Sequence, residues 1–129
     1  MLRLSTGSFS FSPTRAVPHV GSGGVPYNEV RDDLEAVFLR LSDENGAEAV
    51  LGSIDTLFLT DRSLSDIEQK VGSERAPLFL FATHTHSAPS LAPDLPTPQF
   101  RVHDYEWYRS VVSRCARTID GLAACLGKR

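Results

Sequence analysis

The stretch Ala82-Thr83-His84-Thr85-His86-Ser87-Ala88-Pro89 sets two imidazoles at positions i and i+2 directly after an apolar run. On an extended chain such side chains point the same way, with Cα atoms roughly 6.5–7 Å apart. From that separation both rings can converge on one ion through bonds of about 2.0–2.1 Å, and zinc is the natural ion for nitrogen ligands. A second geometry puts the first imidazole on the metal and the second beside it, holding substrate or moving protons. The plainest reading is a polar strand end whose imidazoles meet carbonyls and water. Spacing alone leaves all three open.

Several elements must position these histidines. Ala76-Pro77-Leu78-Phe79-Leu80-Phe81-Ala82-Thr83 is apolar on both faces, which predicts a central strand covered on either side. Leu34–Leu41 and Glu48–Ile54 are strand-like runs joined by Asp43-Glu44-Asn45-Gly46, and Asn-Gly between such runs signals a hairpin. Asp55 then stands at a strand's carboxyl end, where open α/β sheets place residues that contact ligands. Ser63 to Gly72 reads as a short helix with a serine cap, early acids, a late lysine and a terminal glycine. Strand, helix and strand in that order predict a parallel pair joined by a right-handed crossover.

Towards the amino end, Ser8-Phe9-Ser10-Phe11-Ser12 predicts a short edge strand, followed by a long loop containing Gly21-Ser22-Gly23-Gly24. That cluster is either a flexible turn or a place where backbone approaches a ligand closely. It fits neither G-x-G-x-x-G nor the P-loop lysine pattern. Ser87–Gln99 is a proline-rich loop; it and its flank carry Leu91, Leu95 and Phe100. Asp104 caps a long helix with an apolar stripe of Tyr105, Tyr108, Val112, Cys115, Ile119, Leu122 and Leu126, and Gly127 ends it. The expected fold is α/β: a mixed sheet with a β-hairpin, a βαβ unit and a long C-terminal helix, all in one domain over residues 1–129.

The chain of 129 residues is 41% apolar and 22% charged, an ordinary balance for one domain. No window reaches the roughly 18 apolar residues that suggest a membrane span, and no secretory signal is visible, so the chain reads as cytoplasmic. A net charge of −3, with its basic residues scattered, gives nucleic-acid binding no electrostatic support. Cys115 and Cys125 lie about 15 Å apart on one helix, beyond disulfide reach, and are expected to be free buried thiols.

At Thr83-His84-Thr85-His86-Ser87-Ala88-Pro89 the chain resembles the neutral and alkaline, non-lysosomal ceramidase family. Its amino-terminal domain carries a Thr-His-Thr-His-Ser-Gly-Pro signature at the end of a buried strand. The upstream order is also similar: a Gly-rich loop, two strands ending in Asp55, a short helix, then the histidine strand. The resemblance implies a zinc-dependent amidohydrolase that cleaves a ceramide-like lipid to a fatty acid and a sphingoid base. It makes His84 a zinc ligand and places His86 in the active site near the metal. Ala88 replaces the family's glycine, and Pro89-Ser90-Leu91 lacks the glycine usual there. Family members run to several hundred residues, and their remaining histidine, glutamate and tyrosine ligands come from sequence beyond the equivalent of Arg129. On this resemblance the chain is a partial ceramidase-like amino-terminal domain or a short relative, with a second chain as one source of the missing ligands.

Other residues carry paired readings. His103 is a third nitrogen ligand or a solvated neighbour of the Asp104 cap. His19 is exposed or lines the site, and Asp55 is a partner behind an imidazole or a strand-end acid. Trp107 and Tyr108 read as packing rather than as a lipid pocket. Against the enzyme stand a non-catalytic binding or assembly module that keeps the fold, and a metallo-β-lactamase type. The latter's His-x-His continues with Asp-His, whereas Ser87-Ala88-Pro89 follows here.

Overall fold

The computed structural model describes residues 1–23, 25–27, 29–72 and 76–126. Gly24 of the glycine cluster and the expected Gly127 cap lie outside them. Strands β1 (Arg3–Ser10), β2 (Glu35–Ser42), β3 (Glu48–Ile54) and β4 (Leu78–Ala82) form one mixed sheet in that order, with helix α1 (Asp61–Glu68) between β3 and β4 and helix α2 (Tyr105–Cys125) after them. β1, β2 and β3 pair antiparallel, and β3 and β4 pair parallel, so the α/β fold with a hairpin, a βαβ unit and a long final helix is the one observed. β1 begins at Arg3, well before the alternation at Ser8, because all eight of its residues find partners on β2.

The hairpin turn is held by the Asp43 carboxylate, which accepts from the backbone N–H of Asn45 and Ala47 at 2.9 and 2.8 Å. Those bonds favour the ionised form and keep the Asp43 pKa low. α1 starts one turn earlier than expected, because Thr60 rather than Ser63 is its cap. Thr60 accepts from the Ser63 N–H while the Ser63 hydroxyl takes the Thr60 N–H, a reciprocal pair in which serine replaces the usual acid or amide. The helix also closes at Glu68, leaving Lys70 and Gly72 beyond it. α2 is capped as expected: Asp104 accepts from Trp107 N–H at 3.0 Å and from Arg15 Nε at 2.7 Å, and the guanidinium holds this carboxyl below its ordinary range.

The helices cover one face of the sheet. Phe38, Val50 and Ile54 point into a core completed by Ile67, Val111, Val112, Cys115, Ile119 and Leu122. Leu91, carried by the proline-rich loop, enters the same core. The Tyr108 hydroxyl donates to Asp66 at 2.8 Å and ties α2 to α1, while burial and that anionic neighbour push its pKa up. Buried Arg40 donates to Glu48 at 2.5 Å. Tyr105 stands out in solvent, one turn before the buried stripe begins. Cys115 is fully buried, its thiol pushed up to about 12 by desolvation, whereas Cys125 is exposed, so only one of the two thiols is a core residue.

β4 departs most from expectation. It lies at the sheet's edge, and Phe79 and Phe81 are 52% and 54% exposed. Its apolar residues face the helical layer on one side only, because the layer expected on the other side is absent among the described residues.

Candidate functional site

Because β3 and β4 run parallel, their carboxyl ends reach the same edge of the sheet, and the ladder continues past both. Thr83 N–H donates to Ile54 O and His84 N–H to Thr56 O, each at 3.0 Å. His84 then takes φ +64°, alone in the left-handed region among the described non-glycine residues. The chain therefore turns at the first histidine instead of running on extended, and such a conformation costs about 1–2 kcal/mol in a residue with a Cβ. The turn still brings the two rings together: His84 and His86 imidazoles stand edge to face with centroids 5.3 Å apart. Two imidazoles on one tetrahedral ion would be separated by about 5 Å, given zinc–nitrogen bonds of about 2.05 Å.

The His84 ring is held from behind. Its Nδ1 lies 3.0 Å from Leu57 O, and because a carbonyl only accepts, Nδ1 carries the proton and Nε2 keeps its lone pair. Phe58 meets the same ring edge to face at 5.9 Å and leans in turn on Phe100. A backbone carbonyl behind one ring nitrogen is the usual way to fix an imidazole's tautomer for metal binding at the other. The wider donor set is open: among the described residues, no three His, Cys, Asp or Glu side chains gather where a metal could sit. What the structure prepares for a metal is His84 Nε2, with the His86 ring beside it.

His86 is positioned from 67 residues upstream. Its carbonyl accepts from His19 Nδ1–H at 3.0 Å and from Gly21 N–H at 2.9 Å, while Val20 N–H reaches Ala88 O at 3.0 Å. The turn Val20–Ser22 lies so close that a Cβ on Gly21 would stand 2.5 Å from His86 O. Gly21 of the glycine cluster therefore marks a close backbone approach to the histidine segment, in place of the expected flexible turn or approach to a ligand. Gly21→Ala is expected to destabilise the fold by about 1–3 kcal/mol and to shift the His86 imidazole resonances. Urea unfolding and two-dimensional NMR would measure both; unchanged stability and spectra would mean that the turn yields freely.

A cleft of about 530 Å³ opens beside this segment, walled by His19, Asp32, Asp33, Asp55, Thr85 and Ser87. Thr85 and Ser87 alternate with the histidines, whose own rings stand outside the cleft. Asp55 is a strand-end acid: its carboxylate accepts from Glu35 N–H at 2.9 Å, and it faces the cleft without bonding either imidazole of the pair. His103 is exposed beside the Asp104 cap, its Nε2 3.4 Å from Gln99 O. Trp107 packs against Phe11 and donates from Nε1 to its carbonyl at 2.9 Å, and Tyr108 lies in the core, so both are packing residues.

No family model matches the sequence, and a search of curated proteins gives no match. Among solved structures, the neutral ceramidase from Pseudomonas aeruginosa is similar over 95% of this chain, with a TM-score of 0.77 at 17% identity. The match occupies 21% of that protein. The chain thus has a ceramidase-like fold and spans about a fifth of the length of the enzyme that shares it. No helix among the described residues is long and apolar enough to cross a membrane.

Proposed function

We propose that this chain carries part of the active site of a zinc-dependent amidohydrolase of the ceramidase type, acting on a ceramide-like lipid or another linear amide. The observation behind this reading is His84, held in a strained backbone conformation with its Nδ1 proton given to Leu57 O and its ring beside that of His86. Strain of this kind persists where surrounding bonds over-determine it, and it concentrates at functional sites.

In this reading His84 would hold the metal through Nε2. His86, whose ring lies 5.3 Å from that of His84, would take a proton from the attacking water and return it to the leaving amine as the C–N bond breaks. Zinc, when bound, supplies Lewis acidity at the amide carbonyl and brings the pKa of water towards 7. The remaining ligands come from further polypeptide or from a second chain. A second reading, a non-catalytic binding or assembly module that keeps the fold, draws on the pair's lack of a third ligand among the described residues.

Calorimetric titration of residues 1–129 with zinc tests the assignment. Stable catalytic sites use three protein ligands, so a chain that offers His84 as its one proposed ligand should bind only weakly, in the micromolar range or above, and His84→Ala should abolish the signal. Hydrolysis of a fluorescent ceramide by this chain alone should stay near background. A tight one-to-one site that survives His84→Ala would break the assignment, and the absence of any binding would return the pair to a polar strand end.

A further inference from the structure

We propose that the uncovered face of the sheet is a contact surface for a second copy of this chain. The face turned away from the helices bears no charged side chain across its centre; Glu35 and Asp55 stand at one end. One row runs across the four strands as Thr6, Leu39, Leu51 and Phe79, and the next as Ser8, Val37, Ser53 and Phe81. Leu4, Val37, Phe79 and Phe81 are among the most exposed large apolar side chains of the protein. A patch this apolar and continuous is a contact surface rather than ordinary scatter.

Shape argues for a second copy. Side chains in both rows are small on β1 and aromatic on β4, so the face is low at one edge and high at the other. A two-fold axis parallel to the strands, lying between two such faces, sets β4 of one copy over β1 of the other. Phe79 and Phe81 then fill the space above Thr6 and Ser8, twice over, as an isologous contact requires. Area agrees. Four strands at about 4.8 Å spacing and about seven residues at 3.3 Å rise make a face of roughly 19 by 23 Å. Pairing two removes on the order of 1,000 Å² of accessible surface, the lower bound for a specific interface. The association is accordingly reversible, in the micromolar range.

Sedimentation velocity from about 1 to 500 µM, in buffer with a chelator so that histidine–metal bridging plays no part, reads this directly. The expected result is a concentration-dependent shift from 14.1 kDa to twice that mass. Val37→Lys should weaken the dimer at least tenfold, and Val37→Lys with Phe81→Lys should stay monomeric throughout, with circular dichroism confirming that each is folded. Thr6→Lys, exposed on β1, gives an independent variant with the same expectation. A wild type that is monomeric at every concentration overturns the proposal, as does a dimer indifferent to these lysines or open-ended association through the β4 edge. None of these outcomes bears on zinc at His84.

Discussion

In an assembly of this chain that hydrolyses an amide, His84→Ala is expected to lose zinc and activity together. His86→Ala should keep most of its zinc while kcat falls by about 10²–10⁴-fold, the usual contribution of a general acid or base. The asymmetry follows from how the rings are held. His84 is fixed by its backbone N–H on Thr56 O and by Nδ1 on Leu57 O, which leaves one nitrogen with a defined lone pair. His86 is anchored through its carbonyl by His19 and Gly21, and its imidazole makes no hydrogen bond among the described residues, leaving it able to take and return a proton. Metal content and kcat measured on the same preparations decide the matter. Equal zinc loss in both variants would make both residues ligands, and full activity in both would return the motif to a polar strand end.

Phe38→Ala should remove about 3–5 kcal/mol of the roughly 5–15 kcal/mol that holds a domain of this kind together, enough to leave a measurable unfolded fraction at room temperature. Phe38 is fully buried, stacks on Phe9 at 6.4 Å, and occupies space that Gly52 opens on the neighbouring strand: a Cβ there would stand 2.6 Å from the Phe38 ring. Leu80 closes in from β4 on the same point. With neighbours fixed on three strands the hole cannot collapse. Urea unfolding gives the value, and a cost below about 1 kcal/mol would mean that the sheet relaxes around the gap.

The parts of this fold that follow from neighbouring residues were legible in the sequence. Asn45-Gly46 between two alternating runs defined the hairpin, and Asp104 ahead of a three-and-four stripe defined α2, because turn chemistry and capping act within a few residues. Ser63 was one turn out as a cap, since two hydroxyl residues three apart both fit the role and only geometry ranks them. β4 was misjudged for a different reason. Phe79 and Phe81 show an apolar strand, but whether a second layer covers them depends on what else the chain brings, which no local pattern contains. At the histidines the motif was legible and its backbone was not. The left-handed turn at His84 follows from bonds to Thr56 and Leu57, and the hold on His86 comes from His19 and Gly21, far away in sequence. A histidine two residues before a glycine in a loop carried no signal of that role.

The path of α2 also governs how the chain folds. Ser5 donates from its hydroxyl to Leu122 O across 117 positions, and Trp107 to Phe11 O across 96, so the final helix lies against the first strand. The meander from β1 to β3 closes through shorter loops, whereas docking α2 closes almost the whole chain, an entropy cost that rises with the logarithm of loop length. The three antiparallel strands are therefore the natural early structure and α2 the last major piece to settle. Until it does, the inner face, with Phe38 and Ile54, lies as open to water as the outer one. On a ribosome, that interval lasts until residues beyond Leu122 have emerged, and for its duration a sheet with two uncovered faces is open to aggregation.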